Sequence, residues 1–289
     1  MSDASLTKEV KQYLSGLSGG AALIGVASME RFDGAPRGHR PRDFVPEALS
    51  VVVLALPIAS GLMNWHEYLE ESEVIREADR YVDQENIEQT WSPRTVIRKH
   101  IERRCCYEVI NDELQRLSMY GALFLERAGY TATYLPTTYG QTLSWPGNYR
   151  WDFPKPPGGF APFSHRHAAV AAGLGELGLN NLLLTPQYGP RQRLVSIITR
   201  APLVADPLIA EPICLGEKCA LCIRKCPAHA FGDAYDLDIG GRKNRLARID
   251  IEACRGYYKD NFFGAQCGRE CMTVCPVGRK PRTRREGGF

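Results

Sequence analysis

Cysteines are the residues of this chain whose type and spacing point most directly to chemistry. The chain has 289 residues and ten cysteines. Eight of them lie in its last quarter: Cys214, Cys219, Cys222, Cys226, Cys254, Cys267, Cys271 and Cys275. A [4Fe-4S] cluster needs four converging thiolates, and in bacterial two-cluster ferredoxins the cysteine before a proline ligates the other cluster. Because Cys226 and Cys275 both precede a proline, the sequence predicts two [4Fe-4S] clusters.

The same rule divides the eight ligands between the clusters. The first cluster takes three cysteines of the first loop and one of the second: Cys214, Cys219, Cys222 and Cys275. The second cluster takes the other four: Cys226, Cys254, Cys267 and Cys271. Four residues separate Cys214 from Cys219, and three separate Cys267 from Cys271. Both gaps are irregular for a ferredoxin, and a loop can absorb either.

Disulfides and zinc are the alternative uses of these cysteines. Disulfides need an oxidising compartment, and the N-terminal residues 1–14 resemble no signal peptide, so we expect reduced thiols. Zinc sites favour separate cysteine pairs, which the two Cys-x-x-x-Cys-Pro endings are not. Cys105 and Cys106 lie far from the others within a helical pattern, and we interpret them as buried free thiols.

Composition places the chain among balanced globular proteins. Hydrophobic residues make up 44% of the chain and its net charge is +3. No apolar run is long enough to span a bilayer, so we expect a cytoplasmic protein with no membrane contact. The basic segment 278–289 lacks an aromatic or basic platform and is interpreted as a solvated tail. We predict two domains, 1–203 and 204–289.

Hydrophobic patterns predict an α/β layer before the cysteines. Helices are expected over 5–17, from Ser92 to 128, and from His165, and strands over 21–28, 48–59 and 130–135. Two more strands are expected around the turn at 187–190, and residues 30–47 are interpreted as a loop. The aromatic segment 139–153 is either a lid over a flat ligand or a packed surface loop. Gly173, Gly175 and Gly178 follow a helix, so a dinucleotide fingerprint is a weak reading.

The run from His167 to Pro186, the hairpin after it and the cysteine order with residues 253–258 resemble epoxyqueuosine reductases and reductive dehalogenases. The resemblance extends over about residues 20–280, with specific motifs from about 160 onward. It implies an α/β (α+β), nitroreductase-like cobalamin-binding domain followed by a ferredoxin-like domain with two [4Fe-4S] clusters. It also implies a corrinoid between them, under the aromatic loop. Glycines let a backbone approach a large flat ligand. We therefore predict these cofactor contacts: Gly173, Gly175, Gly178, Asn180 and Asn181.

Two departures from these families bear on the substrate. At residues 159–162 the chain has no carboxylate where epoxyqueuosine reductases carry the aspartate proposed as proton donor, and no tRNA-binding extension follows Cys275. It also lacks the export signal of the respiratory dehalogenases. We therefore expect a different, small organic substrate and no tRNA. Candidate proton donors near the expected corrinoid face are Tyr139, Tyr149, His165 and His167. The two histidines could instead cap their helix or meet an anion.

Three classes of function remain open from the sequence. The first is a cobalamin-dependent reductase fed by an external low-potential donor such as a ferredoxin or flavodoxin. The second is a two-cluster electron carrier or cofactor-reducing accessory protein without cobalamin. The third is a redox sensor or binding module. A relay of two clusters suits a cofactor that is reduced one electron at a time, which favours the first class.

Overall fold

A computed structural model describes residues 2–63, 77, 105–137, 163–261 and 269–279. The helices are α1 (Asp3–Leu17), α2 (Pro41–Phe44), α3 (Ser60–Met63), α4 (Val109–Arg127), α5 (His165–Ala171), α6 (Leu221–Arg224), α7 (Ile251–Asn261) and α8 (Arg269–Thr273). The strands are β1 (Leu23–Ser28), β2 (Ser50–Pro57), β3 (Ala132–Tyr134), β4 (Glu176–Leu177), β5 (Leu183–Leu184), β6 (Gln192–Thr199), β7 (Phe231–Ile239) and β8 (Arg242–Ile249).

A four-stranded antiparallel sheet in the order β1-β2-β6-β3 organises the fold. Successive side chains of a strand point to opposite faces. Val52 accordingly packs in one core beside its cross-strand partners Val26 and Ile197, whereas Val51 packs in a second core on the other face. Because both faces of β2 are covered, its sequence is a nearly continuous apolar run.

Helices α1 and α4 cover the first face of the sheet. Leu6, Val10 and Leu14 recur every four residues along α1 and are buried in the first core, as the periodicity of an α-helix requires. A Cβ on Gly121 of α4 would lie 2.6 Å from Ile197 Cδ1 of β6. A glycine is therefore needed where this helix approaches the sheet.

Helix α5 and the β7–β8 hairpin cover the second face. Residues 168–172 are fully buried there, and the hairpin contributes Ile239 and Leu246 to the same core. Residues on both sides of the expected boundary at 203/204 thus share one core, and the boundary stays a prediction. No helix among the described residues has the length and apolar character needed to cross a bilayer.

The predicted elements are largely present. The helix at 5–17 begins two residues earlier, behind the N-cap Ser2, and the strands at 21–28, 48–59 and 130–135 correspond to β1, β2 and β3. Interpreting 30–47 as a loop was wrong in part, because it contains α2 and the end of a 3₁₀ turn at Met29–Phe32. The predicted helix start at Ser92 lies outside the described residues. The β7–β8 hairpin was not predicted.

Candidate metal centre

Four cysteines from two distant loops line one hollow, which we call the cysteine hollow. Its other walls come from the loop that carries Cys214, Cys219 and Cys222, from the loop that carries Cys275, and from the segment around β4 and β5. The lining residues are Leu179, Asn180, Leu184, Cys214, Leu215, Gly216, Cys219, Ala220, Leu221, Cys222, Cys275, Pro276 and Val277. These four cysteines are the ones assigned to the first cluster. The fold therefore brings Cys275 to the three cysteines that lie more than fifty positions before it.

The closeness of these thiols affects their ionisation. Burial, with further contributions from the neighbouring Cys214 and Cys275, raises the pKa of the Cys222 thiol to about 11. Burial also raises the pKa of Cys275, with Cys214 and Cys219 adding to the effect. Thiols that oppose each other's ionisation in this way become thiolates readily only beside a positive centre.

A second group of cysteines adjoins the first. Cys226 and Cys254 pack together in a small core with Ala230. Burial is the main cause that raises the pKa of the Cys271 thiol to about 12, and the neighbouring Cys222, Cys254 and Cys226 contribute to the same increase. These three members of the predicted second set therefore lie together, and Cys271 also neighbours the first set through Cys222. Cys267, the fourth predicted ligand, lies outside the described residues.

The loop that carries Cys214 is held by a buried carboxylate on β4. Glu176 is 5% exposed, and its Oε1 accepts hydrogen bonds from the backbone N–H groups of Ile213, at 2.8 Å, and Cys214. Its Oε2 pairs with the guanidinium of Arg242 on β8. Arg242 in turn donates to the carbonyl oxygens of Ala210 and, at 3.1 Å, Glu211. The pair thus fixes the chain just before the first cysteine.

The loop that carries Cys271 and Cys275 is held by an arginine at the start of β6. Arg191 is 8% exposed and donates to the carbonyl oxygens of Met272 at 2.9 Å, Cys275 at 3.0 Å and Val277. Asn180 adds a hydrogen bond from Nδ2 to the carbonyl oxygen of Cys271 at 3.1 Å. Side chains of the α/β layer therefore position the C-terminal loop.

The first loop bends sharply between two of its cysteines. Ala220, between Cys219 and Cys222, has a φ of 41°, in the left-handed region that costs a non-glycine residue about 1–2 kcal/mol. It starts the short helix α6, which presents Cys222 to the hollow. Strain of this kind persists where the surrounding structure requires the bend.

Sequence reasoning missed Glu176, Arg191 and Arg242, because their partners lie far away in the chain. One signal was available: Glu176 is the only charged residue between His167 and Arg191, within an apolar, glycine-rich run. A buried charge needs a partner, so its position indicated a specific contact.

Each of the three predicted corrinoid-contact glycines also approaches another part of the protein closely. A Cβ on Gly173 would lie 2.2 Å from the Pro207 carbonyl oxygen, and one on Gly175 would lie 2.0 Å from that of Leu184. A Cβ on Gly178 would lie 2.7 Å from Leu184 Cδ1. These contacts give a reason for a glycine at each position, and the role of the three glycines as corrinoid contacts stays a prediction.

The two predicted asparagines also make contacts with the protein. Asn180 lines the cysteine hollow. The side chain of Asn181 donates to the Ala247 carbonyl oxygen of β8 at 2.6 Å. Its own carbonyl oxygen accepts from Arg166 of α5. Asn181 has a φ of 59°, which asparagine tolerates better than most residues. Their role as corrinoid contacts stays a prediction.

Of the four candidate proton donors, the structure describes the two histidines. His165 Nε2 donates to the Pro136 carbonyl oxygen at 3.0 Å, so Nδ1 accepts from the Ser196 hydroxyl at 2.9 Å. Burial lowers the pKa of His165 to about 4, and the pKa of His167 also to about 4. The His167 ring contacts the Ser164 hydroxyl at 2.5 Å. Both histidines are neutral near pH 7, which favours a structural role. Tyr139 and Tyr149 lie outside the described residues.

Cys105 and Cys106 lie apart from both groups. They open a π-helical turn ahead of α4. Cys106 Sγ is 3.7 Å from the Leu62 carbonyl oxygen and packs against the first core. Both cysteines are partly exposed, so the expectation that they are buried was wrong, and their interpretation as thiols that hold no cluster stays a prediction.

Relatives of the chain are found among two kinds of enzyme. A tetrachloroethene reductive dehalogenase of Sulfurospirillum multivorans is 34% identical over 118 residues, which are 37% of this chain and 22% of that protein. An epoxyqueuosine reductase of Pseudomonas aeruginosa is 29% identical over 136 residues, 45% of this chain and 36% of that protein. The matched part is thus about a fifth of the first relative and little more than a third of the second. No protein-family model matches the chain.

Solved structures of the same two kinds share the fold. A catabolic reductive dehalogenase in complex with 3-bromo-4-hydroxybenzoic acid has a TM-score of 0.57 at 19% identity, covering 92% of this chain and 31% of its own. An epoxyqueuosine reductase with a tRNA stem loop has a TM-score of 0.54 at 17% identity, covering 95% and 65%. The chain therefore has a mixed α/β fold that resembles reductive dehalogenases and epoxyqueuosine reductases.

Proposed function

We propose that this chain is an iron-sulfur oxidoreductase that relays electrons through two [4Fe-4S] clusters to a cobalamin-dependent reduction of a small organic molecule. The observation that carries the proposal is the convergence of Cys214, Cys219, Cys222 and Cys275 on one hollow. The relatives, which are reductases of two related kinds, support the reductive direction.

Among the described residues, no three His, Cys, Asp or Glu side chains are placed to hold a single metal ion. The four thiols line a wider hollow, and four thiolates are the ligands that the larger cubane cluster requires. The second group supplies three more described thiols beside the first. Because Cys271 and Cys222 are electrostatic neighbours, the two clusters would be adjacent, and an electron could pass from one to the other inside this part of the protein.

Cobalamin rests on weaker support in this chain. The cofactor would supply the reductive chemistry, and the protein would supply the site and a proton. The described glycines that were expected to contact it also approach other parts of the protein closely, and the aromatic segment 139–153 lies outside the described residues. Similarity to cobalamin-dependent families is thus the main support for the corrinoid.

An electron carrier without cobalamin is the second candidate. The specific observation in its favour is that Gly173, Gly175 and Gly178 are explained by contacts within the protein. A carrier would keep Gly175 and Gly178, because both approach Leu184, which lines the cysteine hollow. A ferredoxin or flavodoxin is the proposed external donor for either function.

One set of measurements on anaerobically reconstituted protein separates these functions. We expect about eight irons per chain and two interacting cubane signals in electron paramagnetic resonance. The variant Cys222→Ser should lose or alter one signal, whereas the matched control Cys105→Ala should keep both. Four irons per chain, or zinc in their place, would refute the two-cluster proposal.

Titration with cob(II)alamin then tests the corrinoid. A base-off cobalt signal that saturates at one corrinoid per chain supports the reductase. Its absence in protein that holds both clusters supports the electron carrier.

A further inference from the structure

The charge around Arg191 is not balanced by any acidic side chain among the described residues. Its guanidinium is buried and all its hydrogen-bond acceptors are carbonyl oxygens, those of Met272, Cys275 and Val277. Carbonyl oxygens satisfy its N–H groups and leave its positive charge uncompensated. A buried charge is costly unless it is paired.

A second cation makes this imbalance larger. Arg279 lies close enough to lower the pKa of Arg191, after burial, which is the main cause of that lowering. Arg279 donates to the Thr273 carbonyl oxygen in the same loop. The one group acting in the opposite direction is Cys275. Two guanidinium groups therefore flank a loop whose nearest anionic partner is a cysteine of the first cluster.

The other buried charges near the first cluster cancel. Glu176 is paired with Arg242, so the two together add no net charge beside Cys214. Glu217 is paired with Arg245 at the surface, where solvent and salt screen both. Arg191 is thus the buried charge without a carboxylate partner in the described part of the chain.

We infer that Arg191 is the built-in counter-cation of the first cluster and makes that cluster the easier of the two to reduce. A four-thiolate cubane cluster carries net negative charge, and accepting one electron adds one more. A nearby fixed cation stabilises the reduced form more than the oxidised form and raises the reduction potential. The electron comes from a one-electron donor, which is dithionite in the test below. This inference rests on the proposed two-cluster function.

Selectivity for the first cluster follows from the contacts. Arg191 donates to the carbonyl oxygens of Cys275 and Val277, and both of these residues line the cysteine hollow. Its third acceptor, the carbonyl oxygen of Met272, follows Cys271 in the chain, and Met272 is not a lining residue of the hollow. The first cluster also faces Leu179, Asn180 and Leu184 of the α/β layer through the cysteine hollow. Electrons would therefore collect at the cluster that is closer to that layer.

Arg191 acts as a positioning residue, because it holds the loop of Cys275 through its hydrogen bonds. Measuring the reduction potential separates the effect of its charge from the effect of those hydrogen bonds. Anaerobic redox titrations followed by electron paramagnetic resonance would compare wild type with Arg191→Gln, Arg191→Lys and the control Arg116→Gln. Arg116 is a surface arginine of α4 paired with Glu113, and its replacement changes the net charge by the same amount. The variant Cys222→Ser assigns the signal of the first cluster.

We expect Arg191→Gln to lower the potential of the first cluster and leave the second unchanged. Arg191→Lys should retain most of the wild-type potential, and Arg116→Gln all of it. The shift should persist at high salt, because a buried charge is screened little. If Arg191→Gln loses the first cluster and Arg191→Lys keeps it, the requirement for a counter-cation is also supported.

Three results would overturn the inference: an unchanged potential in Arg191→Gln, a shift confined to the second cluster, or loss of iron in both Arg191 variants. Loss of iron in both variants would mean that cluster binding needs the hydrogen bonds of the guanidinium and does not depend on its charge. Failure of the proposed function is distinguishable, because wild-type protein would then hold no pair of cubane clusters before any variant is compared.

Discussion

Replacing Glu176 by alanine should release the loop that carries the first cluster ligand. The change removes the acceptor of two backbone N–H groups and leaves the guanidinium of Arg242 without its carboxylate. The two side chains are 12% and 6% exposed, so solvent screens the pair little. Breaking a buried ion pair by removing one partner costs about 3–5 kcal/mol. The hydrogen bonds to Ile213 and Cys214 are part of that cost, because they depend on the same carboxylate.

Two measurements on anaerobically prepared protein would test this prediction. Urea unfolding followed by circular dichroism should show the free energy of unfolding of Glu176→Ala falling by about 3–5 kcal/mol. Iron analysis should show the cluster content falling toward half, since Cys214 is assigned to the first of the two proposed clusters. Glu176→Gln keeps one acceptor oxygen and loses the charge, so its effect should be intermediate.

Glu217→Ala is the matched control, because Glu217 lies in the same loop and also pairs with an arginine. Its side chain is exposed and its partner Arg245 is at the surface, where ion pairs contribute little. Stability and iron content should therefore stay close to wild type. Equal effects of Glu176→Ala and Glu217→Ala would refute the idea that burial of the carboxylate holds the loop.

Three further predictions concern the α/β layer. Gly175→Ala would place a Cβ 2.0 Å from the Leu184 carbonyl oxygen and should lower the free energy of unfolding in urea by about 1–3 kcal/mol. The control Gly16→Ala, whose Cβ meets nothing within 4 Å, should not lower it. Equal effects of the two variants would contradict the packing argument. His165 has a pKa of about 4 in the folded protein against 6.5, so its contribution to stability is present above about pH 6.5 and should fall by about 2 kcal/mol on going to about pH 5. His167 also has a pKa of about 4 and titrates over the same range, so His165→Gln should reduce the loss of stability toward pH 5 without abolishing it. An unchanged profile would argue against a buried neutral imidazole at His165. Changing both Cys105 and Cys106 to alanine should leave the iron content unchanged, and loss of a cluster would show that one of them is a ligand.

The cysteine groups could be predicted because the spacing of the cysteines within each loop is visible in the sequence. Three cysteines in one short loop must converge, and the cysteine before a proline indicates the crossing to the other loop. The structure adds how Cys275 reaches Cys214, through contacts of Arg191 and Glu176. Those contacts join residues far apart in sequence, and no periodicity or spacing encodes which arginine meets which carbonyl oxygen.

The β7–β8 hairpin was missed although its turn has a sequence signal. Gly240 and Gly241 form a two-residue connection between paired Ile239 and Arg242, and both have positive φ. Such a pair of glycines between alternating segments is typical of a tight hairpin. The strands themselves are rich in charged residues, since one face of the hairpin is exposed, and this hid the apolar alternation that buries Leu246.

The glycine-rich run from Gly173 to Asn181 shows why sequence similarity alone does not establish a corrinoid. Each of its three glycines is required by a neighbouring part of the same chain, and Glu176 within it holds the loop of Cys214. A protein that kept only the clusters would therefore need the same run. Its resemblance to corrinoid-dependent reductases is therefore expected for either function. The cofactor has to be decided by a direct binding measurement, and a saturable base-off cobalt signal in protein that retains both clusters is the result that would establish it.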